Sequence, residues 1–490
     1  MELTNLLNSI SSVKVVGEVQ RKDVTGIFYD SRSIIKNSIF VAVKGFSTDG
    51  HRFILDAINK AVAAVIMEDD NAVPDEIFIH SGVAKIVVKE SRKALAEVSH
   101  AFYKKPSEKI KLFGVTGTNG KTTTTYFLKT ILELNGHKSG LIGTISNFIG
   151  DREIKSSLTT PESSDLNNLF LTMIEEGCDS AVMEVSSHSL SLNRVYKLNF
   201  CCGVFTNITS DHLDFHNSFE EYLKAKKVLF DSLDEKATAI INCDDEHHKE
   251  ICTDTKAKIL TYGKSETADF KIQNIEFDLS GTRYELIYLN RKYAVSTLLA
   301  GEFNAYNSAG AIAAAVSIGI DPLTAVEGVS KTIQVPGRFE VVSGKSKKVI
   351  IDYSHTADSL EKALINLRKI TSDDQKIYTV FGCGGNRDKL KRPVMGRIAS
   401  ELSDKAIVTN DNPRSENEMQ IIKEIVAGIS KDNYEVIPDR EEAIKTAIEK
   451  SEPGSVILIA GKGHEDYQVL GKDKIHFSDK ETAEKYLENY

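Results

Sequence analysis

The 490-residue chain has no C-x-x-C pair, no apolar run near the length of a membrane span, no excess of basic charge and no short-period repeat or low-complexity tract. Each absence removes a class of protein. The six cysteines, at 178, 201, 202, 243, 252 and 383, do not suit a zinc site or a disulfide frame, and several stand in apolar runs such as Asn199-Phe200-Cys201-Cys202-Gly203-Val204. Buried thiols in a reducing compartment are expected. A bilayer crossing needs roughly 18 consecutive apolar residues, and the N-terminus, Met1-Glu2-Leu3-Thr4, has no basic region leading into an apolar one. A cytoplasmic protein without membrane insertion is expected. Net charge is −9, so a generally basic surface for nucleic acid is excluded and any polyanion must be met by a local pocket. The expected partners are small molecules, and a monomer is the expected state.

Length alone points to about three domains. Alternating apolar strands and amphipathic helices predict an α/β protein. Pro106, just beyond a helix from Ser91 to Tyr103, marks a first boundary, and the turn Val335-Pro336-Gly337-Arg338 a second. The expected units are residues 1–106, 107–336 and 337–490. Strands at Val349 to Asp352, Ile377 to Phe381, Lys405 to Thr409, Glu435 to Ile437 and Val456 to Ala460 give the last unit a dinucleotide-fold look, with ligands expected beyond the C-terminal ends of its strands.

Residues 114–125 read Gly-Val-Thr-Gly-Thr-Asn-Gly-Lys-Thr-Thr-Thr-Thr, after the apolar strand Lys111-Leu112-Phe113. Glycines let backbone N–H groups close on phosphate oxygens, Lys121 supplies a mobile cation, and the Thr122 hydroxyl can ligate Mg²⁺. A nucleoside triphosphate is the implied ligand. The strict P-loop spacing is broken, because Val115 stands where a glycine would.

Downstream, strand 180–185 ends in Glu184, followed by Ser186-Ser187-His188. A carboxylate at a strand tip beside a phosphate loop is either a Mg²⁺ partner or a surface glutamate. Asp211-His212-Leu213-Asp214-Phe215-His216 is dense in donors, yet it lacks thiolates and one short turn supplies zinc poorly; a second Mg²⁺ fits better. Lys226, in Tyr222-Leu223-Lys224-Ala225-Lys226, reads on its own chemistry as a solvated helix lysine.

Thr-Gly-Thr-Asn-Gly-Lys-Thr at 116–122 and these three segments in this order resemble the ATP-dependent Mur ligases. The resemblance implies three domains: an N-terminal α/β UDP-binding domain, a central P-loop ATPase domain with a parallel sheet, and a C-terminal Rossmann-like domain. It implies that Thr116, Gly117, Thr118, Asn119, Gly120, Lys121 and Thr122 bind ATP, with Asn304 on the adenine side, Arg338 at the hinge and Asp352 at the ribose. It places Mg²⁺ on Thr122, Glu184, His212 and Lys226, the last as a carbamate, and makes Lys121, Lys226 and His212 the catalytic residues. A carbamate turns an unwelcome cation beside Mg²⁺ into an oxygen ligand.

The resemblance covers essentially the whole chain and is nearest to the MurE branch, which adds the third amino acid of the cell-wall peptide. Ser31, in Tyr29-Asp30-Ser31-Arg32, matches a uridine contact, and Thr159, Thr160, Ser186 and Arg194 the residues holding the sugar-peptide. Leu158 and Leu192 stand where many relatives have asparagine and glutamine, so those two side-chain contacts are not expected here. Asp411-Asn412-Pro413-Arg414 resembles the type that adds meso-diaminopimelate, with Arg387, Gly461 and Glu465 matching its other contacts. An arginine fork can read the distal carboxylate that lysine lacks. The implied activity is ATP-dependent amide ligation through an acyl phosphate; the same reaction with L-lysine is the alternative.

Overall fold

A computed structural model describes residues 1–20, 22–45, 48–209, 213–372 and 374–488. Three large sheets follow one another along the chain, and a two-stranded one, Tyr467–Leu470 with Asp473–His476, comes after them. The first has the order Ser12–Val16, Ala84–Val88, Ala64–Met67, Ile39–Val41, Ile27–Phe28; only its first strand runs antiparallel. Ala64–Met67 and Ala84–Val88 are buried along their whole length, the pattern of strands covered on both faces.

The second sheet has eleven strands, and a parallel core positions the phosphate loop. Strand Lys111–Thr116 lies between Cys202–Phe205 and Ser180–Glu184, both parallel to it. Registers pair Phe205 with Thr116 and Glu184 with Val115, so three strand tips end together where the chain turns at Gly117. Antiparallel additions flank this core: a hairpin of Ser146–Ile149 and Arg152–Lys155, and a meander of Phe270–Asp278, Gly281–Tyr288 and Arg291–Thr297. The meander buries alternate residues, as a sheet with one wet face does. The central sheet is therefore mixed at its edges and parallel only where the loop is mounted.

The alanine-rich helix Glu302–Ser317 is buried almost throughout. Small side chains let it lie close to helix Lys121–Leu134, the helix that the phosphate loop opens. Helix Pro322–Lys331 approaches as tightly: a Cβ on Gly328 would sit 2.7 Å from the Ile131 Cα.

The third sheet has the order Glu340–Ser343, Lys348–Asp352, Val456–Ala460, Ile377–Phe381, Lys405–Val408, Tyr434–Val436, antiparallel only at its first pair. A fully buried bidentate ion pair sits at its C-terminal edge. Arg440 Nε and Nη2 each donate to Asp479 at 2.8 Å, while Nη1 and Nη2 reach the carbonyls of Asn410 and Ala460 at 3.1 Å. One guanidinium thus ties together the ends of the strands that precede Asp411 and Gly461.

Among the described residues, no helix is long and apolar enough to cross a membrane. All six cysteines are free; Cys178, Cys202 and Cys383 are buried, and Cys201, Cys243 and Cys252 are only partly so. Burial pushes the Cys383 thiol up to about 12.

Asp479→Ala leaves the Arg440 charge buried and uncompensated, which costs about 3–5 kcal/mol. Urea denaturation followed on the C-terminal sheet should show that loss. A change under about 1 kcal/mol would contradict a positioning role for the pair.

Candidate active site around the phosphate loop

Gly117 leaves its strand at φ +152°, and a Cβ there would lie 1.9 Å from Thr206 Oγ1. Only glycine permits that approach. The loop is then sewn to the neighbouring segment: Thr118 N donates to Asn207 O at 2.8 Å, Asn119 N to Asn207 Oδ1 at 3.1 Å, and Thr206 Oγ1 to Asn119 O at 2.6 Å. Gly120, at φ +87°, caps helix Lys121–Leu134, and Asn307 packs against it with Oδ1 2.3 Å from where a Cβ would stand. Asn307 Nδ2 in turn donates to Asn304 Oδ1 at 3.1 Å, which brings the expected adenine-side asparagine to the base of the loop.

Lys121 Nζ donates to Gly117 O at 2.8 Å and Thr118 O at 2.9 Å. Lys226 Nζ donates to the same Gly117 carbonyl at 2.8 Å and lies 4.4 Å from the centre of the Tyr222 ring. Its side chain is 1% exposed, so the solvated lysine read from local chemistry is corrected. The helix face could not be assigned from its own sequence, because the carbonyl it meets lies 109 residues away.

Glu184 is 1% exposed, and Thr144 holds both its oxygens, by N–H at 2.8 Å and by hydroxyl at 3.0 Å. No ion-pair partner for it exists among the described residues. A buried carboxylate of this kind calls for a cation. With the buried Thr122 hydroxyl on the adjoining helix, these oxygen donors suit a hard divalent ion. His212 lies outside the described residues.

Around Glu184 gather the residues expected to hold the sugar-peptide. Thr144 Oγ1 meets Thr159 Oγ1 at 3.1 Å; Thr160 Oγ1 donates to Glu184 O at 2.8 Å and receives Ser186 N at 3.1 Å; Arg194 Nη1 reaches Thr160 O at 3.0 Å. Thr144 and Glu162, which accepts Arg194 Nε at 2.8 Å, were not singled out by motif. Their roles follow from contacts that only the fold makes. Leu158 is exposed, Leu192 partly so. Ser31 stands in a turn fixed by the bidentate Asp30–Arg32 pair, and Tyr29, two residues earlier, donates to Asp165 Oδ2 at 2.8 Å. Burial raises the Asp165 carboxyl above its ordinary value.

On the third sheet, Phe339 N donates to Asp352 Oδ2 at 2.7 Å, and burial raises that carboxyl. Arg338 lies 4.8 Å from the Tyr353 ring centre, its Nε buried without an acceptor among the described residues. Burial and the Arg338 charge lower His464 to about 4, so its ring is neutral at physiological pH. Lys462 is fully buried and donates to Glu465 Oε2 at 3.1 Å, which also accepts Asn412 Nδ2 at 2.9 Å. Gly461, at φ +120°, lets Asp411 approach; a Cβ there would lie 2.7 Å from Asp411 Oδ2. Pro413 closes against Gly385, where a Cβ would be 1.9 Å from Pro413 O.

Arg414 adopts φ +53°, a left-handed conformation costly for a residue with a Cβ. Its N–H to Val469 O, 3.1 Å, and its carbonyl to Gly471 N, 2.8 Å, hold it there through the hairpin Tyr467–Leu470 and Asp473–His476. Nη1 donates to Gly385 O at 2.7 Å, and no carboxylate pairs with the guanidinium among the described residues. Arg387 is exposed on the neighbouring loop, that of Gly385, with Gly384 between the two arginines. Buried Arg392 anchors this loop through Glu416 at 3.0 Å and Glu424 at 2.6 Å, and holds the Glu416 carboxyl down at about 2.

Gly117→Ala should keep the fold by circular dichroism and lose roughly 100-fold in ADP affinity by calorimetry, from about 3 kcal/mol of loop strain. Undiminished affinity would remove the loop from the site.

Three family models match the chain: "Mur ligase family, catalytic domain" over residues 23–103, "Mur ligase middle domain" over 115–315, and "Mur ligase, glutamate ligase domain" over 337–463. A Clostridium acetobutylicum protein named UDP-N-acetylmuramoyl-L-alanyl-D-glutamate--2,6-diaminopimelate ligase 1 is 43% identical over 99% of each chain, and the ligase of that name from Clostridioides difficile is 45% identical over 99% of each. A solved structure of a 2,6-diaminopimelate ligase of this name superposes with a TM-score of 0.71 at 30% identity, covering 99% of this chain and 98% of that one. The MurF structure from Acinetobacter baumannii, 19% identical with a TM-score of 0.68 over 99% and 98%, shares the fold. The chain belongs to the Mur ligase family.

Proposed function

We propose that the protein is an ATP-dependent ligase of peptidoglycan precursor synthesis, joining meso-diaminopimelate to the D-glutamate γ-carboxylate of UDP-N-acetylmuramoyl-L-alanyl-D-glutamate. The observation that carries the choice of amino acid is Arg414, held in a strained conformation at the end of the turn Asp411-Asn412-Pro413 with its fork unclaimed by any described carboxylate. Full-length similarity to named diaminopimelate ligases supports the same reading. The domains are taken as 1–106 for the uridine nucleotide, 107–336 for ATP and 337–490 for the amino acid. We place the enzyme in the cytoplasm as a monomer, acting on small molecules.

In the first step an oxygen of the substrate γ-carboxylate attacks the γ-phosphorus of ATP, ADP leaves, and an acyl phosphate forms. The amine of diaminopimelate then attacks the acyl carbon, phosphate departs, the amine loses a proton and the amide remains. Lys121 and the amides of residues 117–122 hold the phosphates and meet charge as it spreads over the transferring group. Thr159, Thr160, Ser186 and Arg194 hold the sugar-peptide, with Ser31 on its uridine. Asn304, Arg338 and Asp352 hold the nucleoside. Arg387 and Arg414 orient the amino acid through its carboxylates, aided by Asp411, Asn412, Pro413, Gly461 and Glu465. Mg²⁺, when bound by Thr122, Glu184, His212 and a carbamate on Lys226, supplies positive charge to the phosphoryl oxygens.

Purified protein is incubated with ATP, Mg²⁺ and the UDP-muramoyl dipeptide, with meso-diaminopimelate or L-lysine as the amine, and products are weighed by mass spectrometry. Tripeptide with diaminopimelate alone is expected. Preference for lysine overturns the choice of amino acid, and no product with either overturns the reaction. Lys226→Ala should lose at least roughly 100-fold in kcat, an electrostatic contribution of the size seen for preorganised charge stabilisation, and recover in part with short carboxylic acids. Full activity without rescue would refute the carbamate.

A further inference from the structure

We propose that Arg92, on the N-terminal unit, is a binding residue for the diphosphate of the uridine nucleotide, closing on it opposite Arg194 of the central unit; this rests on the function proposed above. Arg92 opens helix Ser91–Phe102, and its fork spans the gap between the two units. Nη1 donates to Glu162 Oε1 at 3.4 Å and Nη2 to the Lys44 carbonyl at 3.3 Å. Arg194 Nε takes the same Glu162 oxygen at 2.8 Å. Two guanidinium groups therefore share one carboxylate oxygen, leaving a formal charge of +1 for the three side chains. Their exposures are 19% for Arg92, 12% for Glu162 and 14% for Arg194, low enough for that charge to be felt by a ligand.

Placement points to the diphosphate. Ser31, the uridine contact, stands two residues beyond Tyr29, whose hydroxyl reaches Asp165 across the same gap. Thr159, Thr160, Ser186 and Arg194 form the peptide end on the far wall. The diphosphate joins uridine to the sugar-peptide and so must pass between these two groups, where Arg92 reaches from one wall to the other. Its present contacts are long for charge-assisted bonds, which run at about 2.7–2.9 Å. Transferring those N–H groups to phosphate oxygens costs little and gains the shorter bond. Arg92 lies in no motif that marked the site, because its meaning depends on a partner 70 residues away.

The test compares UDP with uridine, by calorimetry on the full chain with ADP and Mg²⁺ saturating the other nucleotide site. Arg92→Gln should weaken UDP about tenfold, the size of one charge-assisted hydrogen bond, while uridine stays within twofold of wild type. Arg92→Lys, which keeps the charge and loses the fork, should fall between. The proposal is overturned if Arg92→Gln binds UDP within twofold of wild type, if uridine weakens as much as UDP, or if the wild type binds UDP no better than uridine. Failure of the ligase reading would appear separately, as absence of amide product.

Discussion

The carbonyl of Gly117 is the point on which the site is hung. Lys121 and Lys226 both donate to it at 2.8 Å, one from the helix that the loop opens and one from a helix more than a hundred residues later. Behind it, the absence of a side chain lets Thr206 and Asn207 take the loop's polar groups. The loop curve is thus set from three sides before any phosphate arrives, which is the preorganisation that phosphoryl transfer relies on. Glu184 stands at the tip of the next strand because the parallel register places it beside Val115.

The central and C-terminal units meet at several points, one of them at the phosphate loop. Asp358, in the first turn of helix Ala357–Ile370, accepts Asn119 Nδ2 at 3.3 Å and Thr209 Oγ1 at 3.1 Å, so the C-terminal unit touches the phosphate loop itself. Lys155 on the central hairpin faces Asp466 at 3.4 Å, and Glu302 pairs with Lys369 at 3.1 Å. Exposed pairs such as these add about 0–1 kcal/mol each, which suits surfaces that must part to admit substrate and meet again to exclude water. The buried Arg440–Asp479 pair, by contrast, lies inside one unit, where it fixes the strand ends that precede Asp411 and Gly461.

Much of this was legible in the sequence because parallel strands buried on both faces write themselves as apolar runs. Val456–Ala460, Ile377–Phe381 and Ser180–Glu184 fall where they were expected. The meander from Phe270 to Thr297 was not read, since its strands alternate between buried and wet positions, nor was the hairpin from Tyr467 to His476, whose second strand is exposed throughout. Loop residues such as Gly117, Lys121 and Arg414 announce themselves by local pattern. Thr144, Glu162 and Lys462 do not, because each acts through a partner that only the fold brings near. Lys226 shows the limit most plainly: its helix is unremarkable in sequence, and burial against a distant carbonyl gives it its place.

The central claim is that Arg414 reads the distal carboxylate of the incoming amino acid. The direct measurement is the ratio of kcat/KM for meso-diaminopimelate to that for L-lysine, in the wild type and in Arg414→Ala, with the KM for ATP followed alongside. The account predicts that the ratio falls at least roughly 100-fold, the loss expected when a site built to pair a charged group no longer can, while the KM for ATP stays within about twofold. An unchanged ratio would contradict it.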